Sequence, residues 1–299
     1  MNVNDNPFRS GFITIAGCPN VGKSSLMNAM IGEKIAIVSN RPQTTRSRIM
    51  GVLTREDYQM VFLDTPGIHN PRTRLGEYMM HAVRDAMDGM DCILAILDVS
   101  RITDSDIRIA SELKGKKVPA VLALNKIDLV TPETILAVTA RMADLGYEEI
   151  VPVSAKTKSG LDDLEKCLEK HLPLGPKYFP DDMITDQPER ILCAEIIREK
   201  ALRNLRDEVP HGIGVEIIKI EVRNEKLTEI NATIYCEREA HKGIIIGKHG
   251  SMLHTIGSEA RADIERLLDT HVNLKLWVKV RPDWRNNIAD LKNLGYESC

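Results

Sequence analysis

The sequence holds no run of about 18 or more apolar residues, the length a helix needs to cross a bilayer core, so no membrane-spanning helix is expected. It also lacks any Cys-x-x-Cys pair. Cys18, Cys92, Cys167, Cys193, Cys236 and Cys299 are scattered, which argues against a zinc site or a redox motif. The opening MNVNDNPFRSG is polar and carries no signal peptide, so free thiols in a reducing cytosol are the expectation. There is no large excess of either charge: the net charge is −3 and the pI about 6.3, so the bulk numbers do not advertise a nucleic-acid binder. A local basic surface can still hide inside such an average. Internal repeats and low-complexity tracts are absent too. The 299 residues therefore suit two unlike domains better than a duplication.

What is present has ordinary globular proportions, 43% hydrophobic and 28% charged, so disorder is not the default. In the first half, short apolar runs at 12–16, 59–63, 92–97, 120–124 and 150–153 read as strands. Most are continuous rather than alternating, as expected for strands covered on both faces. Helical patterns around 23–31, 76–87, 104–113, 132–144 and 161–171 lie between them. This alternation predicts a mainly parallel sheet flanked by helices. Leu172–Pro180 then packs three prolines and a glycine into nine residues, which predicts extended linker. The second half has another rhythm: a helix at 189–204, strands at 214–222 and 228–236, the run GIIIGKHG, a helix at 251–268 and a strand at 272–280. The expected organisation is a tail (1–10), an α/β domain (11–171), a linker (172–188), a smaller α+β domain (189–285) and a C-terminal helix or tail (286–299).

The run GCPNVGKS follows a predicted strand and opens a predicted helix, the context a phosphate-binding loop requires. Its candidate contacts are Gly17, Cys18, Pro19, Asn20, Val21, Gly22, Lys23, Ser24 and Ser25. Glycines let backbone N–H groups curl around phosphate oxygens, and the helix N-terminus adds its dipole. Lys23 can reach the β/γ-phosphates, and Ser24 can ligate Mg²⁺. Three further segments sit at strand ends. Asp64, Thr65, Pro66 and Gly67 close the strand at 59–63, where an Asp can hold the Mg²⁺ shell and the Gly67 N–H can point at a γ-phosphate. Asn125, Lys126 and Asp128 lie where open α/β sheets bind ligands. The Asp128 carboxylate can accept both N1–H and N2–H₂ of guanine, a donor pair adenine lacks. Ser154, Ala155 and Lys156 follow the last strand, where the Ala155 N–H can donate to guanine O6. Together, in this order, the four segments match the guanine-nucleotide signature of translation-factor-type GTPases.

Hydrolysis is expected to be slow. The residue after Gly67 is Ile68, where Ras-like enzymes place a water-orienting glutamine. His69 is adjacent, but a lone loop histidine is more often solvated than catalytic. The segment from Gln43 to Ser47 lies where a switch loop belongs, and a threonine there can close over Mg²⁺ when the γ-phosphate is present. Thr45 is the first choice and Thr44 the reserve. Arg46 and Arg48 are read as solvated or as electrostatic helpers. The catalytic candidates are Lys23, Thr45, Gly67 and Asn20, and the metal candidates Ser24, Thr45 and Asp64.

GIIIGKHG (Gly243–Gly250) looks at first like a second phosphate loop, but its spacing is one residue short and His249 cannot take the Mg²⁺ role of Ser or Thr. What remains is a Gly-x-x-Gly turn between two helices, flanked by strands, which is the KH-domain arrangement. Gly247 and Gly250 would let a nucleic-acid backbone approach closely. Lys248 and the helix N-terminus would meet phosphates, with His249 and Ser251 as further RNA-binding candidates, while Ile244, Ile245, Ile246 and Leu253 would form a groove for bases. Residues 241–285 carry eight Lys/Arg against five Asp/Glu, a mildly basic balance that supports the reading without proving it.

These two motif sets in one order, with Ala194–Lys200 and Leu276–Val280, resemble the bacterial Era family of GTPases from Gly11 to Tyr296. The resemblance implies a P-loop GTPase domain followed by a KH-type RNA-binding domain. It implies GTP/GDP and Mg²⁺ as cofactors and leaves room for K⁺ bound through Asn20; otherwise Asn20 simply favours the turn. The implied partners are the 3′ end of small-subunit ribosomal RNA and the small ribosomal subunit, whose assembly the protein would assist. A monomer is expected, cytoplasmic, with room for peripheral association at the inner membrane. GTP would order the loops near Thr45 and Gly67, reset the two domains through the linker and tighten the hold on RNA. Cys18 stands where many relatives have a basic residue, and its thiol is expected to make the loop sensitive to alkylation. Two other classes stay open on sequence alone: a membrane- or cell-cycle-linked signalling GTPase whose KH-like module binds a protein, and a metabolic P-loop kinase.

Overall fold

The computed structural model describes residues 7–39, 41, 44–68, 71, 73–147, 149–206 and 209–296. Gln43, His69 and Cys299 lie outside the described residues. By contacts the chain divides into unit 1 (Met1–Ala36, Thr45–Asn70 and Met79–Asp186) and unit 2 (Ile37–Thr44, Pro71–Tyr78 and Gln187–Cys299). Among the described residues no helix is long and apolar enough to cross a membrane.

Unit 1 runs β1 (Arg9–Ala16), α1 (Lys23–Ile31), β2 (Ile49–Thr54), β3 (Tyr58–Asp64), α2 (Arg74–Asp85, within this unit from Met79), β4 (Cys92–Asp98), α3 (Asp104–Lys114), β5 (Ala120–Asn125), α4 (Pro132–Ala143), β6 (Ile150–Pro152) and α5 (Leu161–Glu169). The sheet order is β2-β3-β1-β4-β5-β6, with every pair parallel except β2 against β3. Residues 92–97 of β4 and 121–124 of β5 are buried without interruption, which explains why their sequences do not alternate. One face packs Ile13, Ile15, Leu26, Leu94 and Leu164; the other packs Ile93, Leu97, Leu113, Leu122 and Met142.

The proline-rich stretch after α5 is extended but not free. Ile184 accepts from Val52 N (2.9 Å) and the Thr185 hydroxyl donates to the Met50 carbonyl (2.7 Å). The side-chain amide of buried Gln59 fastens the backbone of Tyr178 and Phe179. Phe179 and Met183 cover Met50, Val52, Val61 and Leu63. A segment that cannot form a helix still screens apolar sheet from water.

In unit 2, α6 (Glu189–Asn204) leads to β7 (Gly214–Asn224), β8 (Leu227–Cys236), α7 (Glu239–Ile246), α8 (Ser251–Leu268), β9 (His271–Val280) and α9 (Ile288–Asn293). The order is β7-β8-β9: an antiparallel hairpin, then β9 parallel to β8 on the sheet edge. Helices and sheet share a core of Ile197, Ala201, Ile217, Ile230, Ile234, Ile245, Ile256 and Ile264. Trp284, fully buried, donates from its indole nitrogen to the Gly212 carbonyl (2.9 Å), closing the C-terminal segment onto this core.

Helix α6 also buries three consecutive charged residues, Arg198, Glu199 and Lys200. The Arg198 guanidinium donates to the Glu195 carboxylate (2.7 Å from Nε) and to the Thr44 carbonyl, both within unit 2. Glu199 accepts from Val38 N (3.4 Å) and pairs with Arg203. Lys200 pairs with Asp263 of α8 at 2.6 Å. Charges so far from water persist only with partners, and truncating one leaves both a void and unpaired polar groups. Arg198→Ala should therefore lower unfolding stability by about 3–5 kcal/mol. Urea denaturation followed by circular dichroism checks this; a loss under about 1 kcal/mol, the surface-pair range, would contradict it.

Candidate functional site

The parallel strands of unit 1 bring their carboxyl ends to one edge of the sheet, and all four motifs of the first half gather there. The loop from Gly17 to Gly22 follows β1, Asp64 ends β3, Asn125 ends β5, and Ser154 follows β6. The centre of the arrangement is the side-chain amide of Asn125, 2% exposed. It donates to the Val21 carbonyl (2.9 Å) and accepts from Ala155 N (3.1 Å). Gly22 makes this possible: a Cβ there would sit 2.3 Å from Asn125 Nδ2, and its φ of +98° is one that L side chains rarely adopt. Lys126, also left-handed at φ +68°, sends its ammonium to the Asn20 carbonyl (2.9 Å) and to Asp98 (2.5 Å). The Ser154 hydroxyl donates to Asp128 (2.6 Å) and accepts from Thr157 N (3.1 Å). The Ala155 N–H, expected at guanine O6, is instead held by Asn125 here, so that contact would require it to be shared or released. Lys156 is exposed.

A second cluster gathers around α1. The Ser24 hydroxyl lies 2.5 Å from Asp64 Oδ2 and 2.8 Å from the Thr45 hydroxyl, which is itself 3.4 Å from the same carboxylate oxygen. Thr44 faces elsewhere, bonded to the Ser39 hydroxyl and the Arg41 carbonyl, both at 2.7 Å. Asp64 is fully buried and its Oδ1 has no hydrogen-bond partner; burial pushes its carboxyl up to about 6 against the opposing pull of Lys23. An orphaned carboxylate oxygen beside two hydroxyls is a hard, oxygen-only donor set, which fits Mg²⁺. The Lys23 ammonium, its pKa lowered by burial, rests on the carbonyls of Gly17 (3.2 Å) and Cys18 (3.0 Å).

Thr65 anchors its turn by donating to the Ile15 carbonyl (2.9 Å). After Pro66, Gly67 lies against Pro19, whose backbone atoms would be 2.8 Å from any added Cβ. Asn20 is exposed, and Ser25 is partly buried in the first turn of α1. Of the two loop arginines read from sequence as solvated or as electrostatic helpers, Arg46 is 2% exposed and Arg48 is solvated.

The surroundings of Cys18 work against a reactive thiol. Burial first, and then a hydrogen bond to Asp106, push its thiol up to about 12. Asp106 is fixed by the N-terminal box of α3, where Thr103 N donates to its carboxylate at 2.9 Å. Since only the thiolate attacks, Cys18 should carry on the order of a thousandfold less nucleophile at pH 8 than an unperturbed thiol. Iodoacetamide labelling at pH 8 with peptide mapping should find it far slower than free cysteine. A comparable rate would contradict this.

In unit 2, the turn between α7 and α8 is strongly bent. Gly247 has φ +74° and ψ 174°, and a Cβ there would come within 2.8 Å of Met252 N; His249 (φ +54°) and Gly250 (φ +79°) complete the turn. Lys248, His249 and Ser251 are exposed, as is Ile244. Ile246 and Leu253 are partly buried, but Ile245, expected to line the groove, is wholly buried in the core beside Ile256. Three consecutive residues of a helix cannot all face one side.

A cavity of about 500 Å³ opens beside the turn, between α8 and β9. Beyond Gly250 and Leu253, its walls are His254, Gly257, Ser258 and Arg261 of α8 with Leu274 and Leu276 of β9. Sequence reasoning reaches only as far as Leu253. The signal beyond it is the helical spacing 250, 254, 257, 261, one stripe around from the core stripe Ile256, Ala260, Ile264.

Comparison with known proteins agrees with both halves. Residues 12–126 match the family described as 50S ribosome-binding GTPase, and residues 208–285 match the KH domain. The chain is 52% identical over 293 residues to GTPase Era of Clostridioides difficile (strain 630), covering 97% of this chain and 99% of that protein. It is 49% identical over 293 residues to GTPase Era of Ruminiclostridium cellulolyticum, covering 97% and 98%. Two solved structures superpose with a TM-score of 0.93 at 39% identity, each over 97% of this chain and all of the other. One is Era with MgGDPNP and nucleotides 1506–1542 of 16S ribosomal RNA; the other is a point variant of Aquifex aeolicus Era bound to GDP·AlF4⁻.

Proposed function

Because the chain belongs to the Era family of GTPases, we propose that it is a GTP-hydrolysing switch that binds small-subunit ribosomal RNA near its 3′ end and assists assembly of that subunit. The observation that carries this reading is the presence of two unlike glycine–lysine loops. One is built around buried Lys23 and the Ser24–Thr45–Asp64 oxygens; the other is an open turn with exposed Lys248.

In the first, the loop amides from Gly17 to Ser24 and the Lys23 ammonium hold the phosphates. Asp128, steadied by Ser154, accepts the guanine N1–H and N2–H₂ pair. Ser24, Thr45 and Asp64 would hold Mg²⁺, which when bound offsets charge on the β- and γ-phosphates. Gly67 brings its N–H toward the γ-phosphate. Ile68 cannot polarise water, so intrinsic turnover is slow, and a K⁺ ion at Asn20 would supply the missing positive charge. GTP and GDP states then differ in the order of the loops around Thr45 and Gly67, and RNA affinity follows the nucleotide. The protein works as a monomer in the cytoplasm, with any contact to the inner membrane peripheral.

In the second, phosphates of single-stranded RNA approach Gly247 and Gly250, and bases enter the cavity beside α8. The test is recovery and sequencing of RNA bound in cells, wild type against Gly247→Asp/Gly250→Asp. Enrichment of the 3′ end of small-subunit ribosomal RNA, reduced tenfold or more in the double variant, is expected. Enrichment indifferent to those glycines, or none at all, would overturn the assignment.

A further inference from the structure

Residues 37–44 belong to unit 2, although the next residue, Thr45, belongs to unit 1. The described residues of this segment form no helix or strand, so its course is set by what holds it. What holds it is α6. The Arg198 guanidinium donates to the Thr44 carbonyl, and Arg203 donates to the Val38 carbonyl from Nη2 (3.0 Å) and Nε (3.3 Å). Glu199 accepts from Val38 N (3.4 Å), and Arg41 donates in return to the Leu205 carbonyl at the end of α6 (3.2 Å). Most of these donors are guanidinium groups, whose charge-assisted bonds are stronger than neutral ones.

A second row of the same helix holds α8. Lys200 pairs with Asp263 (2.6 Å), and the Asn204 amide donates to Glu259 (2.8 Å). Residues 199 and 203 form one i,i+4 row, and residues 200 and 204 form the next, about 100° around the helix. The helix they hold, α8, begins at the Gly247–Gly250 turn. One helix thus grips the element that follows the turn with one row and the stem of the switch segment with the other.

We propose that Arg198 and Arg203 are positioning residues for GTP hydrolysis: by holding the carbonyls of Thr44 and Val38 on α6, they fix the stem from which the Thr45 hydroxyl reaches Ser24 and Asp64. Thr44 and Thr45 share one planar peptide unit, so a displaced Thr44 carbonyl carries the Thr45 backbone with it. RNA that steadies α8, and α6 with it, then favours the closed arrangement of Thr45, and bound GTP and bound RNA favour each other by one common factor. This rests on the reading of Thr45 as the threonine that closes over Mg²⁺, and it names what delivers that threonine.

The full chain is tested as Arg203→Ala, Arg203→Lys, Arg41→Ala and Thr45→Ala, with the 16S ribosomal RNA segment of nucleotides 1506–1542 as probe. The Arg203 side chain is 47% exposed, and Arg203→Lys keeps a cation beside Glu199. Single-turnover hydrolysis at saturating GTP should slow fivefold or more in Arg203→Ala and Arg41→Ala, and Arg203→Lys should recover most of that loss. Affinity for GDP should stay within twofold, because Thr45 closes only on a γ-phosphate. The preference of RNA for the GTP-analogue state over the GDP state should shrink in both alanine variants. A merely structural role would lower GDP affinity and melting temperature along with the rate, and that result overturns the inference. Hydrolysis within twofold of wild type in both alanine variants, or an unchanged RNA preference, overturns it as well. Thr45→Ala separates the two claims. If it hydrolyses GTP as wild type does, the reading of Thr45 fails; if it is impaired while the arginine variants are not, only the hold by α6 fails.

Discussion

The Asn125 amide, wedged between the Val21 carbonyl and the Ala155 N–H, is the interaction on which the nucleotide site depends. It is 2% exposed and both its ends are used, so it fixes the distance between the phosphate loop and the base-reading end of the sheet. Lys126 adds a second tie, from the same strand end to the Asn20 carbonyl. These bonds exist because β1, β5 and β6 are parallel and end on one edge, and because Gly22 leaves room for the amide. Fold and selectivity thus meet in one buried side chain, and a rigid frame of this kind holds a ligand at little further ordering cost.

The same two residue types, glycine and lysine, do opposite things in the two units. Lys23 is buried among loop carbonyls with Asp64 nearby, a place suited to a concentrated charge such as a triphosphate. Lys248 is solvent-exposed on a turn at the end of a half-apolar groove, which suits a chain of separate phosphates with bases to be stored alongside. What separates the two loops is context: a strand before the first, a helix before the second, and an edge strand beside the groove.

Much of this was legible in sequence because the motifs are local and their strand-end positions follow from topology. The continuous apolar runs of β4 and β5 announce two-sided burial. β2 is harder to read: its run IMGVLT is short and interrupted by Gly51, and it pairs antiparallel on the sheet edge. Ile245 illustrates a different limit, since a run of three isoleucines gives no hint which one the helix turns inward. The elevated thiol of Cys18 and the burial of Arg46 depend on Asp106 and on tertiary packing, which no local pattern encodes. Thr45 and Thr44 differ by one residue in sequence, yet only Thr45 joins Ser24 and Asp64.

Two similar loops are thus assigned two different ligands, and binding stoichiometry tests that assignment most directly. Equilibrium dialysis with GTP and Mg²⁺ should give one nucleotide per chain, lost in Lys23→Ala and retained in Lys248→Ala, while RNA binding is weakened directly by Lys248→Ala and in Lys23→Ala falls only to the level of the nucleotide-free wild type. Two nucleotides per chain, or nucleotide lost with Lys248→Ala, would contradict the account.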